Sequence, residues 1–446
     1  MAVINPYNFV PLGSGPDRSK EYTNRHRLKA DNYSGKLFCT LETLGPVMTL
    51  DQRGTPETIP HVNGAGNRTG KEIKSFRFLR NTEGKPIVQG TSIKGMIRAV
   101  YEAMTDSCLT FTAEAGSDYR YTMPSNYGHT QCKHLNKLCP ACRLFGTING
   151  NDIHCQGQVS FTDAVLGVGE LTQMQRVLKT LSNPKPRHAA TYSDGHNNIA
   201  GRKFYYHHAA TTHFWKELPE ANPKQDRVVS EYAPKGFKFT LWVYFENLGP
   251  EELGCLLLAL ELSSGLAHKI GLGKAIGLGS CSISIDRSGS NVSLPHERYG
   301  GNAAKNPVDW YSLKAVGTSL PPELVEILRT NKPSGDIGYP PHNDEYPSQR
   351  INALGVFGGS ATAPGKPAQS ASAPSGRRPN LPGNNMVWLK EIDGDDLVFI
   401  SPSNYDGKEK HTKMRKHLQK GNNSHLVLGN WFALIGAKGF KAIVKE

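Results

Sequence analysis

Lys269-Ile270-Gly271-Leu272-Gly273-Lys274-Ala275-Ile276-Gly277-Leu278-Gly279-Ser280 lies between a leucine-rich helical run and an alternating strand, Cys281-Ser282-Ile283-Ser284-Ile285. Glycine lets a backbone approach a bulky partner closely and take positive φ. Successive bare N–H groups form an anion-binding concavity, and Lys269 and Lys274 add charge suited to phosphate. The dinucleotide fingerprint and the P-loop both put their glycines between a strand and a helix. Here the order is helix to strand, which argues against both. A plain turn between core elements is the other reading of the same residues.

Outward from this loop the chain repeats one pattern. Gly35 to Leu44 alternates, with Leu37, Cys39 and Leu41 set against Phe38, Thr40 and Glu42, and predicts a strand. From Thr91 to Thr105, Ile93, Met96, Ile97, Val100, Tyr101 and Met104 fall on one helical face. Gln158 to Val165 and Phe237 to Phe245 predict the second and third strands. Pro250 and two glutamates open a helix that ends at Gly265. The loop then leads into the fourth strand. This βαββαβ order predicts an α+β, ferredoxin-like domain over residues 1–357. Two insertions interrupt it: 45–85, rich in Gly, Pro, Thr and charge, and the Cys/His-containing 106–156.

Residues 358–385 are Gly, Ser, Ala and Pro with almost nothing to bury, and predict a flexible linker. Beyond it, Met386 to Lys390, Asp396 to Ile400, His425 to Leu428, Trp431 to Ile435 and Lys441 to Val444 read as five short strands. They suit a small barrel over 386–446, OB-like or cold-shock-like. Lys408, Lys410, Lys413, Arg415, Lys416 and Lys420 between its halves suit RNA contact or a solvated basic loop equally well.

The 446 residues carry a net charge of +13, which points to a polyanionic partner, nucleic acid before membrane surface. No stretch approaches the ~18 apolar residues that span a bilayer. The longest apolar run, Cys255 to Leu260, reads as buried helix. The N-terminus has no basic n-region or apolar h-region, and eight cysteines in so long a chain do not form a disulfide scaffold. A reducing cytoplasm is the expected setting.

Gly90-Thr91-Ser92-Ile93-Lys94-Gly95-Met96-Ile97-Arg98 puts a Gly turn and Thr/Ser caps at a helix start. Free N–H groups and the positive dipole end suit a phosphate there. Lys94 and Arg98 share a face and could grip an RNA backbone. The alternative is an ordinary capped helix with exposed basic residues.

This segment resembles the G-[ST]-S-[IL]-K-G-x-x-R signature of the RAMP (repeat-associated mysterious protein) superfamily, the RNA-binding subunits of CRISPR systems. Cys139-Pro140-Ala141-Cys142-Arg143-Leu144-Phe145-Gly146 is similar to its C-P-x-C-x-L-F-G element. Gly157 to Ala164 resembles the strand that follows, and His268 to Ser280 its glycine loop. Tyr7-Asn8-Phe9-Val10-Pro11-Leu12 and Gly201-Arg202-Lys203-Phe204-Tyr205-Tyr206-His207 resemble features of one branch found with type III CRISPR systems.

The resemblance implies an RNA-recognition-motif-like palm, a β-hairpin thumb in 45–85 and assembly with other RAMP backbone subunits along a guide RNA. It also implies a large polymerase/cyclase-like subunit and target RNA as partners, in antiviral defence. The RNA-binding candidates are Lys94, Arg98, Arg202, Lys203, Tyr205, Lys269, Gly271, Gly273 and Lys274.

His129-x2-Cys132-x-His134-x4-Cys139-x2-Cys142 has the spacing of a structural zinc site. Cys132, Cys139 and Cys142 are the candidate thiolates, with His129 as fourth ligand and His134 as its rival. Free thiols, or a redox Cys-Pro-Ala-Cys pair, are the alternatives. His154 and Cys155 read as the loop's end.

The resemblance also raises cleavage, because some type III backbone subunits cut target RNA with an aspartate and a divalent cation. The corresponding position falls near Lys74-Ser75, which leaves Asp51 as the candidate carboxylate or as a solvated loop acid. His207, His208 and His213 offer metal-free cleavage of a guide precursor, or base stacking with Tyr205, Tyr206, Phe214 and Trp215. The sequence therefore supports a guide-RNA-binding subunit, with endoribonuclease and free-standing RNA binder as alternatives.

Overall fold

Alternation along Tyr33–Thr43 (β1) puts Leu37, Cys39 and Leu41 on one face, and all three are fully buried in a computed structural model of the chain. The structure describes residues 3–4, 6–20, 22, 27–51, 53, 57–109, 131–149, 153–178, 199–208, 215–216, 219, 227–299, 308–330, 336–337, 386–393, 396–400, 431–435 and 439–442. The elements that position the site are β1, helix α1 (Gly90–Met104), helix α2 (Pro140–Phe145), β2 (Val159–Phe161) and β3 (Ala164–Leu166). They continue with β4 (Lys238–Leu248), helix α3 (Pro250–Leu260) and β5 (Ser280–Ser293).

These strands form a seven-stranded sheet ordered His268–Lys269, β5, β1, β4, β3, Ile87–Val88, with β2 also paired to β4. The β1–β4 and β1–β5 pairings are antiparallel, with Leu41 opposite both Phe239 and Ile283. The period of 2 therefore sends Leu37, Cys39, Leu41, Phe239, Leu241, Val243, Cys281 and Ile283 to one side. There they meet Ile93, Ile97, Val100, Tyr101 and Met104 of α1 and Leu253, Leu256, Leu257 and Leu260 of α3. Each such side chain contributes roughly 1.5–3 kcal/mol by leaving water.

Several sequence expectations change in detail. Met96 belongs to the α1 stripe by period but packs only at the core's margin. Helix α3 stops at Leu260 rather than Gly265, and the Glu261 carboxylate accepts from the Ile285 N–H instead of continuing the helix. The second strand is broken into β2 and β3 at Thr162-Asp163, where the N-terminus of α1 abuts it. A Cβ on Gly90 would lie 2.4 Å from the Phe161 carbonyl oxygen.

The stretch 45–85 holds a hairpin, Glu57–Val62 with Arg68–Phe76, whose second strand runs parallel to Arg227–Tyr232 with Val228 opposite Ser75. Thr172–Leu178 and Trp215–Lys216 complete a five-stranded sheet. Val47, Met48, Ile73 and Phe78 of this stretch are fully buried, so part of it is core rather than surface insertion.

The chain divides into two units, Met1–Gly365 and Lys366–Glu446. The second holds an antiparallel sheet ordered Asp396–Ile400, Met386–Asp393, Trp431–Ile435, Gly439–Ala442. The linker 358–385, the strand expected at 425–428 and the basic patch 408–420 lie outside the described residues. Among the described residues, no helix is long and apolar enough to cross a membrane.

Candidate nucleic-acid interface and metal centre

Two sequence features nearly two hundred residues apart meet as a strand pair. Tyr7–Val10 runs antiparallel to Arg202–Tyr205, with Tyr7 opposite Tyr205 and Val10 opposite Arg202. Gly201 makes the approach possible: a Cβ there would lie 2.0 Å from the Val10 carbonyl oxygen. The strand period then sends Lys203 and Tyr205 one way and Arg202 the other.

Lys203 and Tyr205 line a groove of about 730 Å³. Its other walls are the loop from His268 to Lys274, the face of α1 carrying Ser92, Gly95, Met96 and Ala99, and the segment Met48–Leu50 with Arg53. Lys203 Nζ sits 3.7 Å from the centre of the Tyr7 ring and 5.1 Å from that of Tyr205. Lys274 Nζ is 5.9 Å from the Tyr205 ring. Lys269 Nζ donates to the Leu278 carbonyl at 2.9 Å.

Burial pushes the Lys203 ammonium down to about 8, with the charge of Lys274 adding to the effect. Burial pushes Lys269 down to about 7 and lowers Lys274 as well. A cation cluster held partly dry in this way gains most from an arriving anion.

The loop's glycines serve the protein's own packing. Gly271 takes φ 76°, and a Cβ on it would meet the Met48 carbonyl oxygen at 2.2 Å. Leu272 N–H donates to that same oxygen at 3.0 Å. The Gly273 carbonyl accepts from Ile276 and Leu278 and closes a tight turn. The expected close approach of backbone is therefore to Met48, and the lysine side chains are what face the groove.

The basic residues of α1 do not join them. The first N–H of the helix, on Gly90, donates to Asp163 Oδ1 at 2.8 Å, so a carboxylate occupies the place suggested for phosphate. Arg98 donates from Nε to Glu102 at 2.7 Å, from Nη1 to the Gly146 carbonyl at 2.8 Å, and lies with Nη2 3.9 Å from Cys142 Sγ. Lys94 is half-buried one turn earlier, outside the groove lining. Arg202 is buried, pairs with Glu102 at 3.4 Å and donates to the Ser107 carbonyl. Arg98 and Arg202 thus clamp one half-buried carboxylate between them.

Asp51, next in sequence to the groove-lining Leu50, has both oxygens engaged by one guanidinium. Arg53 donates from Nε to Oδ1 at 3.0 Å and from Nη2 to Oδ2 at 2.9 Å. Those hydrogen bonds hold the Asp51 carboxyl below the usual carboxylate range. Lys74 and Ser75 lie in the hairpin strand. His207 has both ring nitrogens engaged, Nδ1 with Ser280 Oγ at 3.0 Å and Nε2 with the Ala267 carbonyl at 2.9 Å; burial pushes it down to about 3. His208 is buried, and His213 lies outside the described residues.

Among the described residues, one group of side chains has metal-ligand geometry: Cys108, Cys132, Cys139 and Cys142. Their sulfurs all lie within 4.8 Å of one another. Cys108 is 3.6 Å from Cys142, 3.6 Å from Cys139 and 3.9 Å from Cys132. Four thiolates on a tetrahedral zinc with bonds of about 2.3 Å would stand about 3.8 Å apart. The spacing therefore fits a zinc-like ion and is far too long for disulfides, which need ~2.0 Å.

Cys108, directly after α1, completes the group with the three expected thiols. His134 is exposed and outside the group, and His129 lies outside the described residues. Cys139 N–H donates to Cys132 Sγ at 3.2 Å. Hydrogen bonds among the neighbouring thiols hold Cys139 and Cys132 down, Cys132 to about 6, and raise Cys108 and Cys142. Arg143 is buried and pairs with Glu252 at 3.0 Å, which ties α2 to α3. Sequence reasoning missed Cys108 because it stands 24 residues before Cys132 with no paired spacing.

No curated protein matches the chain. Among solved structures, a chain described as "Type IV-B CRISPR Complex" is 15% identical over 60% of this chain and 100% of its own, with a TM-score of 0.29. A chain of the Thermofilum pendens Csc2 crystal structure is 13% identical over 67% of this chain and 85% of its own, with a TM-score of 0.28. The family model for the RAMP superfamily matches residues 40–282, which hold the end of β1, α1, the cysteine centre, β4 and the glycine loop. The chain belongs to the RAMP superfamily.

Proposed function

We propose that this chain is a guide-RNA-binding backbone subunit of a type III CRISPR ribonucleoprotein, holding the guide for complementary target RNA in antiviral defence. The observation that carries the reading is the convergence of Lys203, Lys269 and Lys274 with Tyr205 in one groove. A phosphate there would meet desolvated ammonium groups, and the Tyr205 ring offers a face to a base. The strand pairing of Tyr7–Val10 with Arg202–Tyr205 supports reading those two features as one unit of the type III branch.

The strand order β5, β1, β4, β2/β3 supports a ferredoxin-like palm, and the Glu57–Val62/Arg68–Phe76 hairpin supports a thumb. The antiparallel sheet of the second unit supports a small OB-like or cold-shock-like domain. The cysteine centre suits structural zinc, joining the end of α1 to α2 where the loop has little core of its own. The partners in this reading are other RAMP subunits, a large polymerase/cyclase-like subunit, guide and target RNA. With Asp51 neutralised by Arg53, this subunit holds RNA and a neighbour cuts it.

The test is co-expression with partner subunits and a guide, followed by RNA extraction. The expected result is a stable ribonucleoprotein with one defined guide length, lost on Lys203→Ala with Lys274→Ala. Each phosphate contact removed should lower the log–log salt slope by about 0.7. An unchanged slope in a folded double variant overturns the reading.

A further inference from the structure

The face of the central sheet away from the helices is not a plain solvated surface. The register puts Tyr244 opposite Lys36 and Trp242 opposite Phe38, all four on the outward side of β4 and β1. Phe38 and Trp242 have ring centres 4.8 Å apart, and Trp242 and Tyr244 lie 6.4 Å apart with planes 29° from parallel. Tyr244 is 43% exposed. Lys36 Nζ lies 4.5 Å above the Trp242 ring. Beside this row is a cavity of about 460 Å³, bordered by Tyr244, Lys36, Ser160, Glu246 and Arg298.

We propose that this face is a second RNA site, taking unpaired bases of single-stranded RNA by stacking on Trp242 and Tyr244. Aromatic rings on the central strands of an open sheet, with cations at their edge, form a platform for bases. Lys36 leaves the Trp242 ring to meet a phosphate, and Arg298 offers a second cation across the cavity. Of the nearby acids, Asp286 accepts from Ser288 and Gly289, and Glu297 from the Leu294 N–H.

A protein partner fits less well, because the rest of the face is Thr40, Thr240 and Ser284 rather than the apolar centre of a protein interface. The groove lies on the helix side of the same sheet, so the two sites are separate and this proposal stands apart from the groove reading.

The experiment uses the full chain freed of RNA and a fluorescein-labelled oligouridylate, read by anisotropy, with intrinsic tryptophan emission as a second signal. Tyr244→Ala and Trp242→Ala should each weaken binding roughly tenfold, and Tyr244→Phe should not. Unlabelled oligouridylate should quench emission in the wild type and lose that quenching in Trp242→Phe. The Lys203→Ala/Lys274→Ala variant should keep the quenching.

Wild-type affinity in Tyr244→Ala, which is too exposed to unfold the sheet, overturns the proposal. So does undiminished quenching in Trp242→Phe, or a change in oligomeric state without a change in affinity, which would mark a protein contact. If the lysine variant binds normally while the aromatic variants fail, the groove reading is wrong and this one stands.

Discussion

Arg98 Nη2 lies 3.9 Å from Cys142 Sγ while its Nε donates to Glu102 at 2.7 Å, so one guanidinium joins the main helix to the cysteine centre. Four thiolates around a divalent ion leave net negative charge, and an adjacent arginine offsets part of it. Arg98→Ala should therefore destabilise the fold by roughly 1.5–3 kcal/mol, the range for a hydrogen bond to a charged group. It should also speed metal release to a chromogenic chelator. The RNA salt slope should stay at the wild-type value, because Arg98 faces sulfur and carboxylate rather than the groove. A lowered slope in a stable Arg98→Ala protein would return this residue to the RNA face.

The cysteine centre makes a second, sharper distinction. Cys108→Ser should lose bound zinc as completely as Cys139→Ser, while His134→Ala should keep about one zinc per chain. Metal analysis of protein prepared without chelator, with thermal denaturation alongside, reads both. The melting temperature should fall in the cysteine variants because the joint between α1 and α2 depends on all four sulfurs. Retention of zinc by Cys108→Ser would restore a histidine as the fourth ligand.

Asp51 can act on a divalent ion only after Arg53 leaves it, since both carboxylate oxygens are engaged. In an assembled complex, Asp51→Ala should leave every target-RNA product band in place. Arg53→Ala frees the carboxylate and should still produce no new cut. Loss of one band in Asp51→Ala, with assembly and binding intact, would make this subunit a nuclease.

The parts of the fold legible in the sequence are those set by local period. Leu37, Cys39 and Leu41 alternate, Ile93, Ile97, Val100 and Tyr101 repeat at helical spacing, and both patterns end in the same core. The five-stranded sheet was not legible, because Ser75 pairs with Val228 across some 150 residues and its strands are short and charged. The site divides the same way. Lys203, Lys269 and Lys274 can be picked out as basic residues beside glycine turns. That Arg98 and Arg202 turn inward is decided by Glu102, whose carboxylate only the tertiary structure brings to both. Cys108 escaped because a lone cysteine carries no spacing signal.

The groove lysines predict opposite pH trends for binding and for stability. Burial lowers Lys203 to about 8 and Lys269 to about 7, against an unfolded value near 10.4. Between these values the unfolded chain binds more protons than the folded one, so RNA-free protein should gain stability as pH rises from about 7 to 10. RNA phosphate prefers the ammonium form, so binding takes up protons and affinity should fall as pH rises through 7 to 8. The limit is roughly tenfold per pH unit for each linked lysine above its folded value. Anisotropy titrations at fixed ionic strength measure the first trend, and urea midpoints of the RNA-free chain measure the second. Lys203→Met with Lys269→Met should flatten both curves, since methionine keeps the stem's packing and removes the titrating group. Affinity that stays level across this range in the wild type would mean that these ammonium groups do not touch phosphate.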